Sequence, residues 1–181
     1  TVTAPAAKDQ WDKGTVRASS NAAVQNMTII SIGHNWGDWT CAVNADAAQN
    51  FDVESCNLQA IDQTGNNGSN LVALAVDYSA GGGGSQLNVA YCGIVANGGG
   101  QPIGVGAFGH SYVELTDSKI LAENANTSWG AAAAAESALY LYNCFVQGSQ
   151  SLVLNDGTGK ITARDCQLVG PYSPGVVIVN D

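Results

Sequence analysis

The sequence is poor in charge. Asp, Glu, Lys and Arg make up 12% of its 181 residues, about half the share of roughly 25% in ordinary soluble domains. Cations are scarcest: six Lys and Arg against fifteen Asp and Glu give a net charge of −9 and a pI near 4.3. A nucleic-acid binder needs a basic stripe to displace counterions, and a polybasic membrane-surface module needs clustered Lys and Arg, so the balance argues against both partners. No apolar run approaches the ~18 residues of a membrane-spanning helix. The charged start, apolar middle and small-residue cleavage site of a secretory signal are missing, and Thr1 in place of Met is read as a clipped initiator. There is no CxxC pair to support structural zinc and no Asp-rich loop with calcium spacing, so no metal or cofactor is expected. The five cysteines, Cys41, Cys56, Cys92, Cys144 and Cys166, are an odd number and do not read as a disulfide framework.

What the chain does have is glycine, 22 residues, and an internal repeat. Five segments align on a pivot residue: FDVESCNLQA (51–60), LNVAYCGIVA (87–96), VELTDSKILA (113–122), LYLYNCFVQG (139–148) and ITARDCQLVG (161–170). The pivots are Cys56, Cys92, Ser118, Cys144 and Cys166. A weaker sixth copy, MTIISIGHNW (27–36), puts Ile32 at the pivot. Apolar residues stand five and three before the pivot and two after it, with Ala or Gly four after it. This is the period-2 pattern of strands with one buried face. The column just before the pivot, Ser55, Tyr91, Asp117, Asn143 and Asp165, marks a bend between two short strands. A further strand is predicted between pivots, at Cys41–Ala45, Leu71–Val76, Ile103–Phe108, Ala131–Ala135, Leu152–Leu154 and Val176–Val179. The AAAAA run (131–135) has helical composition but falls where the other units carry a strand.

A unit of strand, bend, strand, turn and strand cannot bury its apolar face alone, whereas a stack of units can. The predicted fold is all-β: a single-stranded parallel β-helix, or solenoid, of about six coils over residues 26–181. Residues 1–25 do not fit the repeat. They are expected to be an arm that grips a partner, or a cap with Trp11 as its plug. The pivots Cys56, Cys92, Ser118, Cys144 and Cys166 are expected to form an interior ladder of free thiols, because Cys is small, apolar and readily buried. The apolar C-terminal strand shows no cap, which points to covering by another chain, with threefold packing of prisms as one arrangement.

The outward columns suggest two chemistries. Asp52 and Glu54 share a strand face about 6–7 Å apart at strand rise, near the carboxylate separation of inverting glycosidases. Glu114 lies two coils on, and Tyr140 and Tyr142 would serve as sugar-stacking platforms. A solvated strand face is the plainer reading. His110 in FGHS stands as a general base or a turn-capping residue, and His34 has no nucleophile beside it in sequence.

The repeated unit resembles the right-handed parallel β-helix family, which includes pectate lyases, polygalacturonases and phage tailspikes, over roughly residues 24–180. The chain departs from the enzymatic members. FGHS offers only the GH of the polygalacturonase GHG motif, no DD or RIK motif exists, and Arg164 is the only arginine in the repeat. The resemblance therefore implies a non-enzymatic virion protein, a homotrimeric capsid decoration protein or a tail-spike component that contacts other capsid or tail proteins. The alternative is a carbohydrate-binding or carbohydrate-degrading protein, located outside the cell, that uses Asp52, Glu54, Glu114, Tyr140 and Tyr142.

Overall fold

The computed structural model describes residues 1–5, 7–8, 15–33, 38–63, 70–77 and 84–180. The chain winds as a parallel β-helix, laying strands into three sheets on each turn. The first rung holds β1 (Val2–Pro5), β2 (Ala7–Lys8), β3 (Val16–Arg17) and β4 (Ala23–Gln25). The second holds β5 (Thr28–Gly33), β6 (Asp38–Thr40), β7 (Val43–Ala45) and β8 (Phe51–Glu54). The third holds β9 (Asn57–Asp62), β10 (Asn70–Val76) and β11 (Gln86–Ala90), and the fourth β12 (Gly93–Asn97), β13 (Gln101–Ala107) and β14 (Tyr112–Thr116). The fifth holds β15 (Lys119–Glu123), β16 (Trp129–Ala133) and β17 (Ala138–Tyr142), and the sixth β18 (Phe145–Gln147), β19 (Gln150–Leu154) and β20 (Lys160–Arg164). The seventh holds β21 (Gln167–Val169) and β22 (Val177–Val179).

Sheet 1 is β1-β5-β9-β12-β15-β18-β21 and sheet 3 is β4-β8-β11-β14-β17-β20-β22, each seven strands deep. Sheet 2 runs from β2, β3, β6 and β7 through β10, β13 and β16 to β19. Among the described strands, only β2 against β6 is antiparallel. Residues 131–133 of the polyalanine run are strand, with β16 in register between β13 and β19, while the strand expected to reach Ala135 stops at Ala133 and Ala135 turns away at φ 51°. Cross-strand pairing with Val105 and Leu152 on either side of Ala131 outweighs its helix propensity.

The bend column has a single backbone cause. Asn26, Ser55, Tyr91, Asp117, Asn143 and Asp165 all lie in the left-handed region, with φ between 49° and 56°. Asn and Asp tolerate that conformation, and their side chains stack from rung to rung, as where Asn143 Nδ2 donates to Asp117 Oδ1. Ser55 and Tyr91 are the exceptions, and Tyr91 is the bulky one: at φ 56° and 60% exposed, it carries backbone strain of about 1–2 kcal/mol.

Three expectations change. The six rungs expected over residues 26–181 are present, and the N-terminal strands β1 to β4, expected as an arm or cap outside the repeat, add a seventh. β1 pairs with β5, β3 with β7 and β4 with β8, all parallel. This segment thus caps the stack as a short-stranded rung of its own; Trp11, the expected plug, lies outside the described residues. Second, the pivot of the 27–36 copy is Met27, not Ile32. Ile29 pairs with Leu58 and Ile32 with Ile61, and Asn26 supplies the left-handed bend. Third, Val177–Val179 belongs to sheet 3, beside β20, and not to the between-pivot column of sheet 2. Sheet 2 ends in one bridge, Leu152 to Tyr172, because Pro171 and Pro174 deny that stretch two ladder donors.

The core is filled by inward columns such as Phe51, Leu87, Val113, Leu139 and Ile161, each 2% exposed or less. Sheet 2 differs from the other two in burying both faces. Its outer side carries a second cluster of Cys41, Val72, Ala75, Ile103, Ala132 and Val153. The strand sequences LVALAV and WGAAA are correspondingly apolar without alternation.

Candidate functional site

The outward positions of sheet 3 hold the sequence-selected carboxylates and tyrosines. Asp52 and Glu54 alternate with the buried Phe51 and Val53 on β8 and are both exposed. Register carries the column of Asp52 through Asn88 and Glu114 to Tyr140 and Thr162, and the column of Glu54 through Ala90 and Thr116 to Tyr142 and Arg164. Glu114 and Tyr140 are therefore direct neighbours. Asp52 and Glu114 stand two rungs apart, about 10 Å, and Glu54 and Tyr142 three rungs apart, about 14 Å.

Each carboxylate is engaged separately by a neutral donor. Asn88 Nδ2 donates to Asp52 Oδ1 at 3.0 Å, Gln25 Nε2 to Glu54 Oε2 at 2.9 Å, and the Tyr112 hydroxyl to Glu114 Oε2 at 3.2 Å. Sequence reasoning missed Tyr112, which packs its ring 5.1 Å from that of Tyr140 at a 35° tilt. Its outward parity with Glu114, two residues on, was the available signal. Desolvation first, then its hydrogen bond to the Glu114 carboxylate, raises the Tyr112 phenol. Tyr112, Tyr140 and Glu114 thus form an exposed aromatic step with one fixed acceptor. Such a step can stack an apolar sugar face.

A shallow cleft of about 450 Å³ sits at the corner between sheets 1 and 2, lined by Glu123, Asn124, Ser128, Gln147 and Ser149 with Val169 at its edge. None of Asp52, Glu54 or Glu114 borders it. His110, at φ 63° in a turn, has Nδ1 3.5 Å from Glu136 Oε2, with both side chains exposed. His34 lies outside the described residues. Among the described residues there is no group of three or more His, Cys, Asp or Glu that could hold a metal, and no helix long and apolar enough to cross a membrane.

The pivot ladder lines the inside of the corner between sheets 3 and 1. Cys56, Cys92, Ser118 and Cys144 are each at most 3% exposed, and Cys166 is half-buried. All five cysteines are free. Each ladder side chain donates to the carbonyl two residues earlier: Cys56 to Glu54 and Cys92 to Ala90 at 3.2 Å, Ser118 to Thr116 at 2.8 Å, Cys144 to Tyr142 and Cys166 to Arg164 at 3.3 Å. It also accepts from the pivot amide of the rung before, as Cys92 does from Cys56 and Cys166 from Cys144, both at 3.4 Å. Two demands of the corner select Cys or Ser here. The side chain must be small enough for an apolar interior, and it must satisfy the polar groups of bent backbone.

Thiol reactivity follows position. Burial pushes Cys41 up to about 12 and Cys92 up to about 11. In the stacked pair at the C-terminal end, the hydrogen bond between the two thiols raises Cys144 and lowers Cys166. The thiolate is the nucleophile, so Cys166 is expected to alkylate first in the folded protein, at a rate that rises with pH below the ordinary thiol range. Limited iodoacetamide labelling with peptide mass mapping checks this, and labelling of Cys41 ahead of Cys166 would contradict it. Comparison with protein-family models, with curated proteins and with solved structures gave no match.

Proposed function

We propose that this chain is a non-enzymatic structural protein that works in an assembly of identical copies, of the kind that decorates a virion capsid or forms part of a tail spike, with a trimer as the working unit. The observation that carries the reading is the placement of Asp52, Glu54 and Glu114: they stand on the outer face of sheet 3, each held by a neutral neighbour, and none of them borders the described cleft. Glycoside hydrolysis uses two carboxyl groups flanking the same bond. Exposed apolar side chains add support: Val169, Tyr172 and Val177 are 42%, 51% and 52% exposed, a surface suited to packing against polypeptide.

The mass in solution by multi-angle light scattering tests this. A species of about three times 18.5 kDa is expected, and a monomer at every concentration would overturn it. The second reading, glycan binding, rests on the Tyr112–Tyr140 step beside Glu114. It gains only if oligosaccharide binding appears in the native protein and is lost in Tyr140→Ala.

A further inference from the structure

The outer face of sheet 1 is nearly free of charge in a protein of net charge −9. On the outward positions of β5, β9, β12, β15, β18 and β21, the charged residues are Lys119 and Glu123 alone, at opposite ends of β15. The outer face of sheet 3, by contrast, carries Asp52, Glu54, Glu114, Lys160 and Arg164. The central column of the sheet 1 face reads Ile30, Gln59, Val95, Leu121, Gln147 and Val169, apolar but for two neutral glutamines, and is flanked on one side by Ile32 and Ile61, all half-buried or exposed. Depletion of charge from the centre of a patch is the compositional mark of a protein interface.

The two charges also define who fits. Lys119 and Glu123 share a rung, so they lie at the same height along the solenoid axis. Rotating a copy about an axis parallel to the solenoid brings the Lys119 edge of one copy to the Glu123 edge of the next. A face about 16 Å wide, repeated around a threefold, lies about 5 Å from that axis. That is the reach of an Ile or Leu side chain, so the central stripe would fill the space. We propose that copies of this chain pack on one another through the outer face of sheet 1, with Lys119 of one copy opposite Glu123 of its neighbour. This rests on the reading of the protein as a self-assembling unit.

The test is a charge swap at both positions, read by light-scattering mass against concentration, with circular dichroism melting as the check on folding. Lys119→Glu and Glu123→Lys are each expected to weaken association at least about tenfold, because each sets like charges face to face. The double swap is expected to restore it. Overall repulsion predicts otherwise: Lys119→Glu moves the net charge from −9 to −11 and Glu123→Lys moves it to −7, so the second would strengthen association. If the native protein associates and neither single swap weakens it, the assembly reading stands and this face is wrong. If the native protein never associates, the assembly reading itself fails.

Discussion

Replacing Asp77 by Ala is expected to lower the melting temperature by about 12 °C. Asp77 is 1% exposed, and its carboxylate accepts from four groups: Ala47 N at 2.7 Å, Ser85 Oγ at 2.8 Å, Ser111 Oγ at 2.9 Å and Ser85 N. Ala47 lies in the second rung, Ser85 just before β11 in the third and Ser111 just before β14 in the fourth, so one side chain ties three levels of one corner. Removing it leaves several buried donors unsatisfied at about 1–3 kcal/mol each. Partial relaxation reduces the sum to about 4 kcal/mol, which at this chain length corresponds to roughly 2–4 °C per kcal/mol. Asp77→Asn keeps one acceptor oxygen but turns an amide N–H₂ toward donors, so its loss should approach that of Ala. Thermal unfolding followed by circular dichroism checks both. A shift under about 3 °C for Ala would show that the serines and amides find other partners.

Gly130→Ala is the second large effect, with an expected loss of about 3 kcal/mol, or about 9 °C. Gly104 and Gly130 lie side by side on β13 and β16, where the between-pivot strands leave no room under sheet 1. A Cβ on Gly130 would meet Val146 Cγ1 at 2.5 Å and the Ser151 carbonyl oxygen at 2.6 Å. One at Gly104 would meet Ile120 Cγ2 at 2.5 Å and the Gly130 carbonyl oxygen at 2.5 Å. The obstruction is backbone and branched side chain, so neither can swing away. Gly157→Ala is the control: nothing lies within 4 Å of its Cβ position, and only its φ of 75° resists the substitution. It should cost about 1 kcal/mol. Equal losses at positions 130 and 157 would mean that backbone conformation, not crowding, holds Gly130.

Much of this architecture was legible in the residues alone. The pivot column announced itself because every rung must turn the same corner, and one solution, a left-handed residue followed by a small donor, recurs. Asp117-Ser118, Asn143-Cys144 and Asp165-Cys166 are three versions of it. The first two rungs were harder to read for the same reason. Asn26-Met27 performs the bend without a cysteine or serine, so an alignment on Cys slipped five residues to Ile32. The strands of residues 2–25 are too short, two to four residues each, to show a period. Tyr91 was visible as a member of the bend column, but its strained conformation was not.

The candidate site divides in the same way. Alternation along β8, β14 and β17 determined which carboxylates and tyrosines face outward, because a strand's side-chain period is fixed at two. Whether those groups converge depends on the register between rungs and on the neighbours each meets. Pairing placed Asn88 against Asp52 and Gln25 against Glu54, whereas Tyr112 meets Glu114 from two residues earlier on the same strand. Sequence by itself determined the repeat, the inward and outward columns and the parallel stack, since these follow from local periodicity and from the need to bury one face of each unit. Only the tertiary structure decided that the N-terminal segment joins the stack, that sheet 2 is buried on both faces, and that Asp52, Glu54 and Glu114 lie away from the described cleft. Each of these depends on contacts between residues tens of positions apart, which local periodicity does not encode.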